Sequence, residues 1–395
     1  MIAPNAITDA RSSHQGRASV FVIHRYGIDQ ALPELLTVMT SSALTLSVLD
    51  LIPVRTGQSS ANAFAASLAV AQRADELGFE RYWVAEHHNM PSVASTNPPV
   101  MVGIIAAQTK RIRVGSGGVM LPNHSPLVIA EQFGILEASF PGRIDVALGR
   151  APGSDPVITA LLRSSGAVSD VDAFPRNIAD IEALLDPEGA SLTLSSGKNY
   201  DVRATPAATS APTVWLLGSS QYSANLAAVR GMPYVFANHF SQGNTSDALD
   251  LYRNTFVPSE KLTAPRTLLT INISVAETRE EAHALALPQL QQMARMHTGQ
   301  PLTALSTVEE AAETVMTEVQ EDIMAGMAGK WIIDEPVAAA ARLQEMAAHY
   351  GVSEVMVSPV ASGHNRDDLS TTPDRIRALE LVSAAVKVDS LVPSA

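Results

Sequence analysis

The sequence contains no cysteine. Disulfides, thiolate zinc sites, iron–sulfur clusters and cysteine nucleophiles are therefore all excluded. Positive charge is scarce as well: 27 Lys and Arg stand against 40 Asp and Glu, a formal net charge of −13. Nucleic acids and anionic membranes need a clustered basic face, so neither is an expected partner. One or two buried arginines holding a phosphate remain compatible with that balance. Long apolar runs are missing too. The stretch Ala18–Ile23 is too short to span a bilayer and lacks the setting of a signal peptide, and no later run is long enough to cross one. The expectation is a cytoplasmic protein.

What is present is a core and a rhythm. Hydrophobic residues make up 46% of 395 residues, enough for a large buried interior. Residues 1–40 show no clear period and read as a flexible extension. A single domain is expected over 41–388, with a short tail at 389–395. From Leu44 the chain alternates. Strands are predicted at 44–49, 81–85, 112–115, 144–148, 213–217, 234–237, 267–275 and 354–358. Helices fall between them, the first over 60–78 with Phe64, Leu68 and Ala71 as its core stripe and Gly78 as its stop. Ser125 followed by Pro126 marks another helix start. A long helical stretch is predicted over 279–350, and a last helix over 373–387. Strands alternating with amphipathic helices imply parallel pairing through right-handed crossovers. Eight of them suggest an α/β fold of the closed (β/α)₈ kind, a TIM barrel, with insertions after strands four and seven at 151–211 and 296–334.

In such a barrel the chemistry sits just beyond the carboxyl ends of the strands. The residues there are far from random: Asp50 after strand one, Glu86-His87-His88 after strand two, Gly115-Ser116-Gly117-Gly118 after strand three and Gly149-Arg150 after strand four. Gly218-Ser219-Ser220 follows strand five and Asn238-His239 follows strand six. Adjacent histidines on an extended backbone point to opposite faces and grip one ion poorly. No HExxH helix or regular ligand set is present, so no metal is expected. The run GSGG lacks the spacing of a phosphate loop; it suits a tight turn or the close approach of a flat ligand. Ser219, Ser220 and Ser223, at the opening of a helix, suit either an ordinary N-cap or an anion site for which Arg150 could supply the counter-charge. Phosphate on one side and a flat ring on the other describe a mononucleotide such as FMN.

These segments also carry a resemblance. LSVLDLIPV, RYWVAEHHNMP, RIRVGSGGVMLPNHSPLVIAEQFGILEASFPGRIDVALGRAPG and WLLGSSQYSANLAA are similar to the bacterial luciferase-like, flavin-dependent monooxygenases, closely over 44–240 and more loosely to 388. The resemblance implies a (β/α)₈ barrel using reduced FMN supplied by a separate reductase, O₂ and a small organic substrate, possibly an aldehyde. It also implies a homodimer. His87 and His88 match the histidines beside flavin and substrate, with Glu86 before them; Gly117 and Gly118 match a non-prolyl cis peptide against the flavin ring. Arg150, Ser220 and Ser223 match phosphate contacts. Gly149 stands where the luciferase α chain has a reactive cysteine, so its aldehyde pocket does not carry over. A deazaflavin-dependent oxidoreductase, a non-catalytic flavin-binding protein and a metal-dependent hydrolase are the competing readings.

Overall fold

Eight parallel strands close into a ring in the computed structural model, which describes residues 44–151, 153–164, 171–240 and 243–389. The expected extension at 1–40, and the expected tail apart from Asp389, lie outside the described residues. The first half of the ring is β1 (Thr45–Asp50), β2 (Arg81–Val84), β3 (Arg113–Met120) and β4 (Ile144–Gly149), with helices α1 (Ser60–Leu77), α2 (Pro98–Gln108) and α3 (Pro126–Ser139) between them. Next come α4 (Pro156–Leu162), α5 (Phe174–Leu185) and an antiparallel hairpin, β5 (Ala190–Thr193) with β6 (Asn199–Val202). These form the insertion after the fourth barrel strand. The ring resumes with β7 (Thr213–Gly218), α6 (Gln221–Val229), β8 (Tyr234–Phe236), α7 (Thr245–Asn254) and β9 (Thr267–Val275). The second insertion holds α8 (Arg279–His297), α9 (Val308–Glu313), α10 (Glu318–Ala328) and β10 (Ile332–Asp334). Helix α11 (Pro336–Tyr350), β11 (Glu354–Pro359) and α12 (Pro373–Asp389) complete the chain's described part. β8 pairs with β9, and β11 with both β9 and β1, so no barrel edge is left open.

Several local expectations are corrected. Helix α1 buries Ala63, Ala66, Val70, Ala71 and Ala74, leaving Phe64 only partly buried. Its inner face is built of small residues, which let the helix lie close to the strands. Its stop at Gly78 is as predicted, with φ 81° and the cap amide reaching Ala74 and Asp75. Strand β3 runs on through the glycine cluster to Met120 instead of ending at Gly115. Its register with β4 shifts between Gly117 and Val119, across a cis Gly117–Gly118 peptide. The long helical stretch is broken in four. Capping boxes at Thr307 with Glu310 and Thr317 with Gln320 start new helices, and β10 adds a ninth strand against the far end of β9. Ser125 occupies the N-cap of α3 with Pro126 after it, but its hydroxyl makes no capping bond.

Alternation along each strand fills the barrel in layers. The middle layer is apolar: Leu49, Trp83, Ala147, Trp215, Val235, Leu268 and Met356. Trp83 and Trp215 meet edge to face with ring centres 5.6 Å apart. Two residues earlier on the strands, the lower layer is ionic. Arg81, 1% exposed, donates to Asp145 at 2.9 Å and to Glu354 at 2.7 Å. Burial opposes its charge, but the two carboxylates outweigh that and keep it protonated. Asp145 also receives Arg113 at 2.6 Å and the Trp83 indole at 3.0 Å, and Ser47 donates to Glu354 at 2.6 Å.

Removing one member of a buried ion pair leaves the others desolvated and unpaired. Arg81→Leu is expected to lower unfolding free energy by about 3–5 kcal/mol. Denaturant unfolding measures this, and a loss below about 1 kcal/mol would show that the lower layer contributes little.

Candidate active site

The carboxyl ends of the strands open on a cavity of about 360 Å³. Its floor is the layer above the tryptophans: Leu51, Ala85, Gly117, Gly149, Leu217 and Ala237, each two residues beyond a middle-layer position or its strand equivalent. This floor is apolar and low. At Gly117 an added Cβ would fall 2.7 Å from Leu49 Cδ1 and 3.1 Å from Trp83 Cβ, so a side chain there would force Leu49 to shift. Above the floor stand His87, Met120, Arg150, Gly153, Ser219, Ser220, Ser223 and His239.

One end of the cavity is built for an anion. Ser220 is the N-cap of α6, yet its hydroxyl makes no capping bond. The amides of the first turn are therefore left without a side-chain cap, beside the three serines that line the cavity. Ser223 is 3% exposed and its hydroxyl lies against Gly218, where a Cβ would come within 2.4 Å of it. The Arg150 guanidinium stacks 4.1 Å above the Tyr222 ring and forms no ion pair among the described residues. Stacking holds a cation in place without neutralising it.

The predicted residues divide, those on β1, on β3 and just after β2 by parity. His87, Gly117, Arg150, Ser219, Ser220 and Ser223 line the cavity; Asp50, Glu86, His88, Ser116 and Gly118 do not. Successive side chains on an extended strand face opposite ways, and those on the outward face serve the frame. Ser116 Oγ donates to the Ala147 carbonyl and accepts from the Ala147 amide, both at 3.0 Å. Asp50 accepts from Arg375 at 2.6 Å, from the Tyr82 hydroxyl and from the Ile52 amide at 2.8 Å; it borders a smaller adjoining cavity. Burial works to raise its pKa, but Arg375 and these hydrogen bonds hold the carboxyl below the usual range.

Glu86 is fully buried and ties three segments together. Its Oε1 lies 2.9 Å from His88 Nε2 and 2.8 Å from His124 Nε2, and its Oε2 accepts the Met120 amide at 2.9 Å. Burial pushes the carboxyl up, but these hydrogen bonds outweigh it and bring its pKa down to about 2. The charge fixes the loop that carries His87. His88 is thereby turned toward Glu86 and away from the cavity, so the two histidines do not converge.

Two cavity histidines remain, His87 and His239. Burial lowers the pKa of His87. Burial, and then the neighbouring His87, push His239 down to about 3. Both rings are uncharged at neutral pH. His239 Nδ1 is hydrogen-bonded to Thr270 Oγ1. The sequence places His239 at a strand end without marking it as a site residue; in the structure it continues the inward series Val235, Ala237. His124 gave no such signal, because its reach to Glu86 is made across a turn.

Residues 44–354 match the family model for luciferase-like monooxygenases. A luciferase-like monooxygenase of Escherichia coli is 44% identical over 262 residues, spanning 66% of this chain and 76% of that protein. The chain belongs to the luciferase-like monooxygenase family. The structure of another protein, apo-MsnO8, superposes on this family member with a TM-score of 0.73 at 32% identity, covering 90% of this chain and all of that one. Two more distant likenesses are of fold alone. One is the oxygenating constituent of 3,6-diketocamphane monooxygenase in complex with FMN, from Pseudomonas putida, at 16% identity and TM-score 0.62, covering 89% of this chain and all of that one. The other is an F420-dependent secondary alcohol dehydrogenase at 14% identity and TM-score 0.59, covering 87% and 99%. Among the described residues of this luciferase-like monooxygenase, no helix is long and apolar enough to cross a membrane.

The lowered pKa of His239 has a consequence for stability. Its folded value lies below the ordinary 6.5, so the unfolded chain takes up the proton first. Its contribution is complete above pH 6.5 and declines as pH falls toward 3. Between pH 7 and pH 5 the wild type is expected to lose up to about 2 kcal/mol more stability than His239→Gln. Parallel denaturation at the two pH values tests this; equal slopes would contradict it.

Proposed function

We propose that the chain is a two-component FMN-dependent monooxygenase, using reduced flavin from a separate reductase and O₂ to oxidise a small organic substrate. The observation that carries this reading is the pairing of an anion-holding end, Arg150 with the α6 serines, with a low apolar floor. The donor set and the cavity of about 360 Å³ fit a phosphate joined to a flat ring. The FMN complex of the diketocamphane enzyme on the same fold supports this choice.

Arg150, Ser219, Ser220, Ser223 and the first amides of α6 would hold the phosphate, cation and dipole acting on the same charge. Gly117 would present backbone to the ring. Bound reduced FMN supplies the electrons that activate O₂. His87, uncharged at neutral pH, can both accept and donate a proton and is the residue proposed for proton work. His88 and Glu86 act as positioning residues for it. Asp50 and Ser116 support the floor from outside. Leu51, Leu217, Ala85 and Ala237 keep the floor dry.

A homodimer is part of the proposal. Val100 and Ile104 on α2 and Leu127, Val128 and Ile135 on α3 leave apolar side chains exposed on neighbouring helices, as a subunit interface requires.

FMN fluorescence titration tests the cofactor end. Arg150→Ala is expected to weaken binding by about ten- to a hundredfold, whereas His87→Ala should bind FMN normally and lose oxygen-dependent turnover. Preference for F420 over FMN would move the chain to the deazaflavin reading suggested by the alcohol dehydrogenase fold. If His87→Ala retains turnover, or if neither cofactor binds, the proposal fails.

Val100→Asp with Ile104→Glu is expected to convert the protein to monomers in sedimentation velocity. A monomeric wild type would remove the interface.

A further inference from the structure

Beyond Leu51 and His239, which border both spaces, the main cavity adjoins a recess of about 60 Å³. It lies on the β9–β11 side of the barrel, where the floor changes character. The floor of the main cavity is Leu, Ala and Gly. Here β9 contributes Asn272 and β11 contributes Ser358, and Gln289 reaches in from α8. Asn272 is 9% and Ser358 6% exposed. Among the described residues none of these three side chains has a hydrogen-bond partner. Gln289 is only partly buried, and the polar atoms of all three border accessible space, so a group entering the recess can reach them directly.

The recess also carries charge, but in balance. Arg375 and Asp50 both border it and bind each other at 2.6 Å, with Arg375 Nε also donating to the Pro359 carbonyl at 3.2 Å. No net charge is left to attract an ion. Pro53, Met293, Leu305 and Val360 supply apolar sides. The volume suits a head group of a few heavy atoms and excludes a long chain folded within it.

We propose that this recess is the subsite for the substrate's head group. It takes a small neutral group that both donates and accepts hydrogen bonds, of which a primary carboxamide is the simplest, in preference to a carboxylate or an acceptor-only ketone. Asn272 and Ser358 are its specificity-determining residues, with Gln289 closing the opposite side. This rests on the monooxygenase reading for the word substrate, but binding itself does not depend on that reading.

The test is equilibrium binding of pentanamide, pentanoate and 2-hexanone by ligand-observed NMR, on the protein with and without FMN. Pentanamide is expected to bind about tenfold more tightly than the other two. Asn272→Leu should erase that preference, and Ser358→Ala should reduce it about threefold, both with unchanged FMN affinity. Circular dichroism checks each variant's fold; if Asn272→Leu does not fold, Ser358→Ala and Gln289→Leu decide. Equal binding of the three compounds, no pentanamide binding at millimolar concentration, or a preference left undiminished in the folded variants would each overturn the subsite. Loss of FMN binding in the wild type with the amide preference intact would refute the monooxygenase reading and leave the subsite standing.

Discussion

One buried carboxylate holds the working end of the barrel in shape. Glu86 receives hydrogen bonds from the loop after β2, the end of β3 and the turn beyond it, through His88, Met120 and His124. Loops of this kind have little core of their own, and water would compete for every polar group in them. A charged acceptor inaccessible to solvent resolves that competition. It fixes the direction of His87 and places Met120 on the cavity wall without itself reaching the cavity.

The rest of the molecule divides into tasks along the barrel axis. The lower layer, with Arg81, Asp145 and Glu354, closes one end by a mutually satisfied ionic network. The middle layer, with Trp83 and Trp215, is dry and densely packed. The upper layer is small and apolar from β1 to β8 and polar only toward β9 and β11. That asymmetry gives the cavity two ends and a direction. Arg150 and the serines of α6 stand at one end, and Asn272 with Ser358 near the other.

Much of this was legible in the residues. Eight strand–helix alternations predicted the closed ring, and Gly78 predicted the end of α1. The cluster of polar and glycine residues after the strands located the cavity. Less legible was which member of each cluster faces inward. The sequence presents Glu86-His87-His88 as one catalytic group, yet parity sends only His87 to the cavity. The same grouping puts Asp50 and Ser116 at the cofactor, whereas Ser116 binds the Ala147 backbone and Asp50 borders the smaller recess. Parity along a strand is visible in sequence only if the strand's phase is known, and the middle layer sets that phase. The ninth strand at 332–334 was hidden by its shortness inside a helical pattern. Its pairing depends on where β9 happens to extend, which no local property of Ile332-Ile333-Asp334 reveals. Arg375 reaching Asp50 across 325 positions is likewise a tertiary fact.

The layered alternation also bears on how such a barrel can diversify. Because every second residue of a strand is committed to the outer packing, each strand end presents only one or two positions to the cavity. Exchanging the side chain at 51, 217, 272 or 358 can alter which molecule fits while the outward neighbours continue to hold the wall. Inheritance of the scaffold and variation of the chemistry are thereby assigned to different residues of the same strand. Chemical novelty in this architecture is confined to a short, discontinuous set of sites that a contiguous sequence motif cannot describe.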